Sequence, residues 1–320
     1  MILLAFEPDT LSEQQLARVR DLVSEDTQLV VTRDKGEIEA IIEDIQIAAG
    51  WFPLGLLPQA SNLRWFQQWA AGADWLMDHP QAAEMDFRLT NVSGIHSVQA
   101  SEHIFAFLLA FARDLPQAIR AQQRRRWVSY DQHEHLFELV DRTMALIGVG
   151  SIGERTAQIA TAMGVHVLGV RRDPTVGAAG VENMFSPDQL LGLLPRADFV
   201  VLTVPLTEET RGMIAEEELR AMKSTAYLIN VGRGGTVDED ALLEALQEGW
   251  IAGAGLDVFE TEPLSQDSPL WNANNLITTS HYAGVTPHYH ERALEVFLDN
   301  LRRYYSGVPL RNVVDKELGY

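Results

Sequence analysis

Short apolar runs alternate with helical periodicity along most of the chain. ILLAF near the start reads as a strand, and TLSEQQLARVRDLV, with a Thr-x-x-Glu start followed by apolar positions three and four apart, reads as a helix. TQLVVT, DIQIAAG and LRWFQQW each fit a buried strand. Such alternation implies a parallel sheet covered on both faces. Residues 99–127 carry one long helical pattern, which Pro116 is placed to bend. From Thr143 onward MALIGVG, HVLGVRR, DFVVLTVP, AYLINVG, GAGLDVF and NLITTSH are strand candidates separated by helical or turn segments, enough for a doubly wound dinucleotide-binding sheet. Thr286-Pro287 reads as a cap and first-turn proline, and a final helix follows through HERALEVFLDNLRRYY.

The expected fold is α/β, with two Rossmann-like doubly wound parallel-sheet domains and a cleft between them. Residues 1–97 plus 288–320 form a discontinuous substrate domain, and residues 98–287 form the dinucleotide-binding domain. The run IFAFLLAFA (104–112) is about half of a membrane crossing and stops at Arg113 and Asp114, so it predicts a buried helix. MILLAFEPDT lacks a basic segment and carries acids by position 7, which reads as a first strand and not a secretory signal. No membrane association and a cytoplasmic location are expected. The formal charge of −20 argues against nucleic acid as a partner, because a polyanion would be repelled. The absence of cysteine excludes disulfides, thiolate catalysis and cysteine-based metal sites.

Within GVGSIG, Gly148, Gly150 and Gly153 fit G-x-G-x-x-G between a strand and a helix pattern. The first allows a tight turn, the second lets backbone approach a pyrophosphate, and the third lets helix pack on strand. With Ser151 and Ile152 they set free N–H groups at a helix N-terminus. At the end of the next strand, where an acid would accept ribose hydroxyls, stand Arg171 and Arg172. Guanidiniums offer forked donors and fixed charge to a 2′-phosphate, so NADP(H) is the expected cofactor, with NAD(H) as the alternative.

Three later segments place polar residues at the ends of apolar strands: Arg233 in INVGRGG, Asp257 and Glu262 in GAGLDVFETEP, and His281 in TTSHYAG. Reduction of a 2-oxo acid calls for this set. Arginine holds the carboxylate and polarises the ketone, histidine donates the proton, and an acid keeps the histidine oriented and protonated.

From about residue 60 onward the chain resembles the D-isomer-specific 2-hydroxyacid dehydrogenases, through the ordered set GVGSIG, TVPLTEETRGMI, LINVGRGGTVDEDAL, GAGLDVFETEPL and SHYAGVT. The resemblance implies a NAD(P)H-dependent reductase making a D-2-hydroxy acid from a small 2-oxo acid, working as a homodimer. It implies Arg233 as the substrate-orienting arginine, His281 as proton donor and Glu262 as its partner. Asp257 matches the aspartate near the nicotinamide carboxamide, and Val204, Pro205 and Thr210 match positions lining the cofactor. Val231, Gly232, Gly284 and His281 itself complete the expected cofactor contacts. Ala71 and Gly72 in WAAGADWL match the loop whose amides hold the substrate carboxylate.

Two departures stand out. Tyr282 follows the histidine where many members have a smaller residue, so it is expected to shape the pocket. The double arginine replaces the usual acid, as in members that look NADP-preferring. Rival readings are a formate- or phosphite-type dehydrogenase, disfavoured for formate by Glu262, and a dinucleotide-sensing protein similar to the C-terminal-binding corepressors. The chain shows no tail or polar linker for the latter. Trp51 and Phe52 are candidate walls against the substrate side chain, and Trp65 reads as core. HEH (133–135) and HYH (288–290) read as solvent-facing histidines with no metal. Arg124 to Arg126 read as a solvated helix end.

Overall fold

The computed structural model describes residues 1–129 and 136–319, so HEH 133–135 lies outside the described residues. Contacts divide the chain into two units, Met1–Ile95 with Thr286–Tyr320, and His96–Val285. Each is a parallel sheet flanked by helices, the α/β class expected from the alternating pattern.

In the first unit the strands are β1 (Ile2–Ala5), β2 (Leu29–Val31), β3 (Ile47–Gly50), β4 (Trp65–Gln68) and β5 (Arg88–Thr90), in the order β2-β1-β3-β4-β5. Successive side chains point to opposite faces, so both faces need apolar residues. Ile2 and Leu4 pack with Trp65, Trp69 and Phe297 on one face, while Leu3 and Ala5 pack with Ile38, Phe52 and Phe66 on the other. Trp65 is fully buried as expected. Its Nε1 donates to Thr90 Oγ1 at 2.7 Å, Thr90 Oγ1 donates to Gln67 Oε1 at 2.8 Å, and Asn300 Nδ2 donates to that same oxygen at 3.0 Å. This chain of bonds ties the final helix, Tyr289–Ser306, to the sheet and gives each of these buried polar side chains a partner.

The second unit holds β6 (Thr143–Ile147), β7 (His166–Val170), β8 (Asn183–Phe185), β9 (Phe199–Leu202), β10 (Tyr227–Asn230), β11 (Gly253–Leu256) and β12 (Leu276–Thr278). Their order is β12-β11-β10-β9-β6-β7-β8. The chain winds one way from β6 to β8 and the other way from β9 to β12. The switch point therefore lies between β6 and β9, where ligands of such sheets gather at the carboxyl ends.

Several local expectations need correction. β5 (RLT) and β8 (NMF) are additional strands that each open on a polar residue, whereas the equally short β2 and β12 lie in the β-branched runs TQLVVT and NLITTSH. The first helix begins at Glu13, capped by Ser12 with Gln15 in a reciprocal box, so the cap is Ser-x-x-Gln and not the Thr-x-x-Glu two residues earlier. The long pattern over 99–127 is two helices, Ser97–Ala112 and Leu115–Gln123. The break is at Asp114, in the left-handed region with φ 52°, and Pro116 sits in the next helix's first turn, where its missing N–H costs nothing. The final helix starts at Tyr289 with His288 as its cap residue, so Thr286 does not cap it; Thr286 Oγ1 instead accepts from the His288 amide at 3.3 Å. In the apolar run 104–112 one face is buried, through Ile104, Phe105, Phe107, Leu108, Phe111 and Ala112, while Ala106 and Leu109 are exposed; among the described residues no helix is long and apolar enough to cross a membrane. Arg124 to Arg126 are exposed just past a helix end.

Truncating Trp65 removes a fully buried ring and orphans the Thr90–Gln67–Asn300 chain. Trp65→Ala is expected to lower stability by about 3–5 kcal/mol, read from the urea midpoint of unfolding. Thr90→Ser, which keeps the hydroxyl, is expected to cost much less.

Candidate active site

The carboxyl end of β6 runs into Gly148, whose φ of 95° suits glycine. A Cβ there would lie 2.7 Å from Val204 Cγ1, and one on Gly153 would lie 2.3 Å from the Gly148 carbonyl oxygen. Thr203 Oγ1 donates to that carbonyl at 2.5 Å, so the loops after β6 and β9 are locked together. Gly150 is the N-cap residue of the helix Ser151–Ala162, has no capping side chain, and has nothing within 4 Å of where a Cβ would be. A helix N-terminus without a side-chain cap beside open space is a fit cradle for a pyrophosphate. Beyond β9, Thr210 Oγ1 donates to the Pro205 carbonyl at 2.7 Å and accepts from the Thr207 amide at 2.8 Å, closing the Val204-Pro205 loop into a fixed turn.

Past β7, Arg171 Nη1 donates to the Val176 carbonyl at 3.2 Å and Arg172 Nη2 donates to Glu209 Oε2 at 3.1 Å. The Arg172–Glu209 pair is exposed on both sides, which makes it a weak tie of about 0–1 kcal/mol. Asp173 instead accepts from the Thr175 amide and hydroxyl. Those bonds hold its carboxyl below the usual range, with the charge of Arg171 assisting.

The loop after β10 is built around one close approach. A Cβ on Gly234 would lie 1.8 Å from the Phe259 carbonyl carbon, so only glycine admits the packing of NVGRGG against the segment carrying Glu262. Asn230 Oδ1 accepts from the Gly232 amide at 3.0 Å, and Asn230 Nδ2 and Thr236 Oγ1 donate to the Arg233 carbonyl at 3.0 and 2.6 Å. These bonds fix the backbone from which the half-buried Arg233 projects, and its Nη1 donates to the Gly232 carbonyl at 2.8 Å. Val231 and Gly232 are buried beside it.

His281 Nδ1 lies 2.6 Å from Glu262 Oε2, and Glu262 Oε1 accepts from the Phe259 amide at 3.0 Å. With a carboxylate facing it, Nδ1 carries a hydrogen, which leaves Nε2 as the ring's working atom. His281 is itself left-handed, with φ 52°, a conformation that costs a histidine about 1–3 kcal/mol unless its surroundings hold it. Its amide donates to the Asp257 carbonyl at 2.7 Å. Asp257 is only 1% exposed, and its carboxylate accepts from Thr279 Oγ1 and from the amides of Tyr282 and Ala283. Tyr282 is half exposed, its ring edge-on to His103 at 5.3 Å between centroids. The Gly284 carbonyl accepts from Gln99 Nε2 at 3.0 Å, and a Cβ on Gly284 would lie 2.8 Å from His96 Cδ2. His96 is pushed down to about 4, first by burial and then by the charge of Arg233.

Arg233, Glu262, His281 and Asp257 all stand on loops at the carboxyl ends of one sheet. In the first unit, Trp51 follows β3 and is 42% exposed, whereas Phe52 is 4% exposed and packs against Phe66 in the core, so Phe52 is not a free wall. Ala71 and Gly72 follow β4. Asn91 Nδ2 donates to the Ala71 carbonyl at 2.7 Å and Gln68 Nε2 to the Gly72 carbonyl at 2.6 Å. Gln68 and Asn91 were not singled out from sequence. The signal was present, since WFQQ is a wholly buried strand carrying two glutamines, which must bond to something. In HYH, His288 is exposed, but His290 is partly buried and edge-on to Phe6, so only one of that pair faces solvent. Among the described residues no cluster of three or more histidine or acidic side chains could hold a metal.

The lowered His96 has a consequence for stability. Below pH 6.5 the unfolded chain takes up a proton that the folded chain refuses until about pH 4. Its contribution is therefore whole above pH 6.5 and is lost as pH falls toward 4. The stability of the wild type relative to His96→Gln is expected to drop by up to about 3 kcal/mol across that window, measured by urea unfolding at a series of pH values.

Residues 105–283 match the family model for the NAD binding domain of the D-isomer specific 2-hydroxyacid dehydrogenases. A glyoxylate reductase of Korarchaeum cryptofilum is 38% identical over 264 residues, covering 81% of this chain and 78% of that protein. One from Aeropyrum pernix is 35% identical, covering 82% and 79%. The solved structure of an NADPH-dependent glyoxylate/hydroxypyruvate reductase from Sinorhizobium meliloti, in complex with NADP and sulfate, superposes with a TM-score of 0.84 at 28% identity, covering 100% of this chain and 99% of that one. The chain thus belongs to the D-isomer specific 2-hydroxyacid dehydrogenases, oxidoreductases that interconvert 2-oxo and 2-hydroxy acids with a nicotinamide dinucleotide.

Proposed function

We propose that this enzyme reduces glyoxylate to glycolate and hydroxypyruvate to D-glycerate, with NADPH as the preferred reductant. The observation that carries the reading is the 2.6 Å contact between His281 Nδ1 and Glu262 Oε2, because it commits one ring nitrogen to orientation and leaves the other for proton delivery. The names of the archaeal and Sinorhizobium relatives support the substrate class.

When bound, the reduced nicotinamide supplies a hydride to the substrate's carbonyl carbon. The chain's own residues do the rest. Gly148, Gly150, Ser151, Ile152 and Gly153 would hold the pyrophosphate, and Val204, Pro205, Thr210, Val231, Gly232, Asp257 and Gly284 are assigned around the remainder of the nucleotide. Arg233 grips the substrate carboxylate and offsets the negative charge that develops on the carbonyl oxygen. His281 Nε2–H gives its proton to that oxygen, and Glu262 holds the ring through Nδ1. The amides of Ala71 and Gly72 are assigned to the substrate carboxylate. Trp51 and Tyr282, aromatic and about half exposed, are assigned to the substrate's other end.

Arg171 and Arg172 support the NADPH preference. Their present partners are a backbone carbonyl and an exposed carboxylate, ties that a 2′-phosphate can replace with charge-assisted bonds. A homodimer is part of the same proposal, supported by the exposed apolar residues Leu115 and Ile119, one turn apart on a helix, and by Trp127 at 90% exposure.

Steady-state rates with both acids and both reduced cofactors test the reading. NADPH is expected to exceed NADH at least about tenfold in kcat/KM. Arg171→Ala with Arg172→Ala is expected to cut the NADPH value by roughly 100-fold while moving the NADH value less than about threefold, as for two lost charge-assisted bonds. Equal losses with both cofactors would refute the role given to the arginines.

A further inference from the structure

Asp257 is a buried carboxylate, and a buried charge survives only where its lone pairs are met. Here the hydrogen-bond donors to it come from one short segment of chain, and His103 Nε2 also lies 3.7 Å from Oδ1. Oδ1 accepts from Thr279 Oγ1 at 2.5 Å and from the Tyr282 amide at 3.0 Å, while Oδ2 accepts from the Ala283 amide at 2.8 Å. The Asp257 backbone carbonyl accepts from the His281 amide at 2.7 Å. Residues 279, 281, 282 and 283 thus all hang from a single residue at the end of β11.

The hydroxyl of Thr279 has one hydrogen, and it is given to Asp257. Its oxygen, 2.9 Å from His103 Nε2, must then be the acceptor, so His103 carries its hydrogen on Nε2. His103 is braced in turn, edge-on to Phe107 at 4.8 Å and to Tyr282 at 5.3 Å. Donors therefore run in one direction, from His103 to Thr279 to Asp257, and converge with the loop amides on the carboxylate. Charge-assisted bonds of this kind are the strong ones, and low dielectric strengthens them further. The segment they hold is the one in which His281 adopts a left-handed backbone with its ring 2.6 Å from Glu262.

We propose that Asp257, braced by Thr279 and His103, is a positioning residue for His281: its carboxylate sets the backbone of 281–283 and so delivers the imidazole to Glu262. The inference rests on His281 being the proton donor, and it gives Asp257 a role beyond lining the nucleotide. It also gives Thr279 and His103 a role in turnover although neither is assigned any contact with substrate or cofactor.

The test uses the full chain and reads two quantities. In the protein without nucleotide, the Nδ1 proton of His281, bonded to a carboxylate at short range, gives a downfield proton resonance, assigned by its loss in His281→Gln. Thr279→Val is expected to shift or abolish that resonance, and Thr279→Ser to keep it. With NADPH and glyoxylate, Thr279→Val is expected to lower kcat at least about tenfold while both KM values move less than about threefold, the pattern of a lost orientation and not of lost binding. Thr279→Ser is expected to stay within about twofold. Asp257→Asn, which turns one acceptor into a donor facing amides, is expected to lower kcat as well, and combining it with Thr279→Val is expected to add little, because the two act along one path.

An unchanged resonance and an unchanged kcat in Thr279→Val would overturn the proposal. So would an Asp257→Asn enzyme that keeps its kcat and raises the KM for NADPH about tenfold or more, since that is the signature of a nucleotide contact alone. Should Asp257→Asn fail to fold, Thr279→Val decides by itself. A wild type that does not turn over glyoxylate would count against the proposed function and not against the clamp, which the resonance reports without any turnover.

Discussion

In the proposed function the chemistry depends on one hydrogen bond, between an imidazole and a carboxylate that approach each other from different strands of a parallel sheet. Neither partner is deeply buried, so neither is held by packing alone. Each is fixed by backbone: Glu262 by the amide of Phe259, and His281 by the carbonyl of Asp257. The contact of Gly234 with the Phe259 peptide sets the loop after β10 against the loop after β11, and the His281 amide on the Asp257 carbonyl ties the loop after β12 to the end of β11. A side chain of any size at position 234 would push the arginine loop away from the segment bearing the acid.

The same sheet explains how so acidic a chain can take anionic ligands. A net charge of −20 repels both a 2-oxo acid and a dinucleotide at long range. In the proposed function binding relies on local positive groups: the open helix N-terminus at Gly150, the pair Arg171 and Arg172 past β7, and Arg233 past β10. All lie at carboxyl ends of strands on either side of the β6–β9 switch point, the place where such sheets leave a crevice. The fold supplies the positions, and a few cationic groups supply the attraction.

Much of this was legible in the sequence, for physical reasons that differ from residue to residue. Strands such as MALI and FVVL announce themselves because both their faces are buried and every position is apolar. Gly148 stands in a motif of fixed spacing, whereas Arg233, Glu262 and His281 were legible from polar residues at the ends of apolar strands and from the resemblance, and the structure brings the last two within 2.6 Å. Caps were less so: Thr10 and Thr286 had the right chemistry, but Ser12 and His288 hold the places, since neighbouring residues compete for a cap and tertiary contacts choose. The bracing side chains were not legible at all. Thr279 and His103 meet across 176 positions, Asn300 and Gln67 across 233, and no local pattern encodes partners so far apart. Phe52 illustrates the opposite failure, an aromatic beside a candidate site that the core takes instead.

The central claim, that His281 is the proton donor, is tested most directly by the turnover number of His281→Gln with glyoxylate and NADPH, measured alongside its affinity for NADPH. A general acid contributes about 10²–10⁴ in rate, so kcat is expected to fall within that range while nucleotide affinity is kept. A kcat within about threefold of the wild type, below any loss a general acid's removal should cause, would contradict the account.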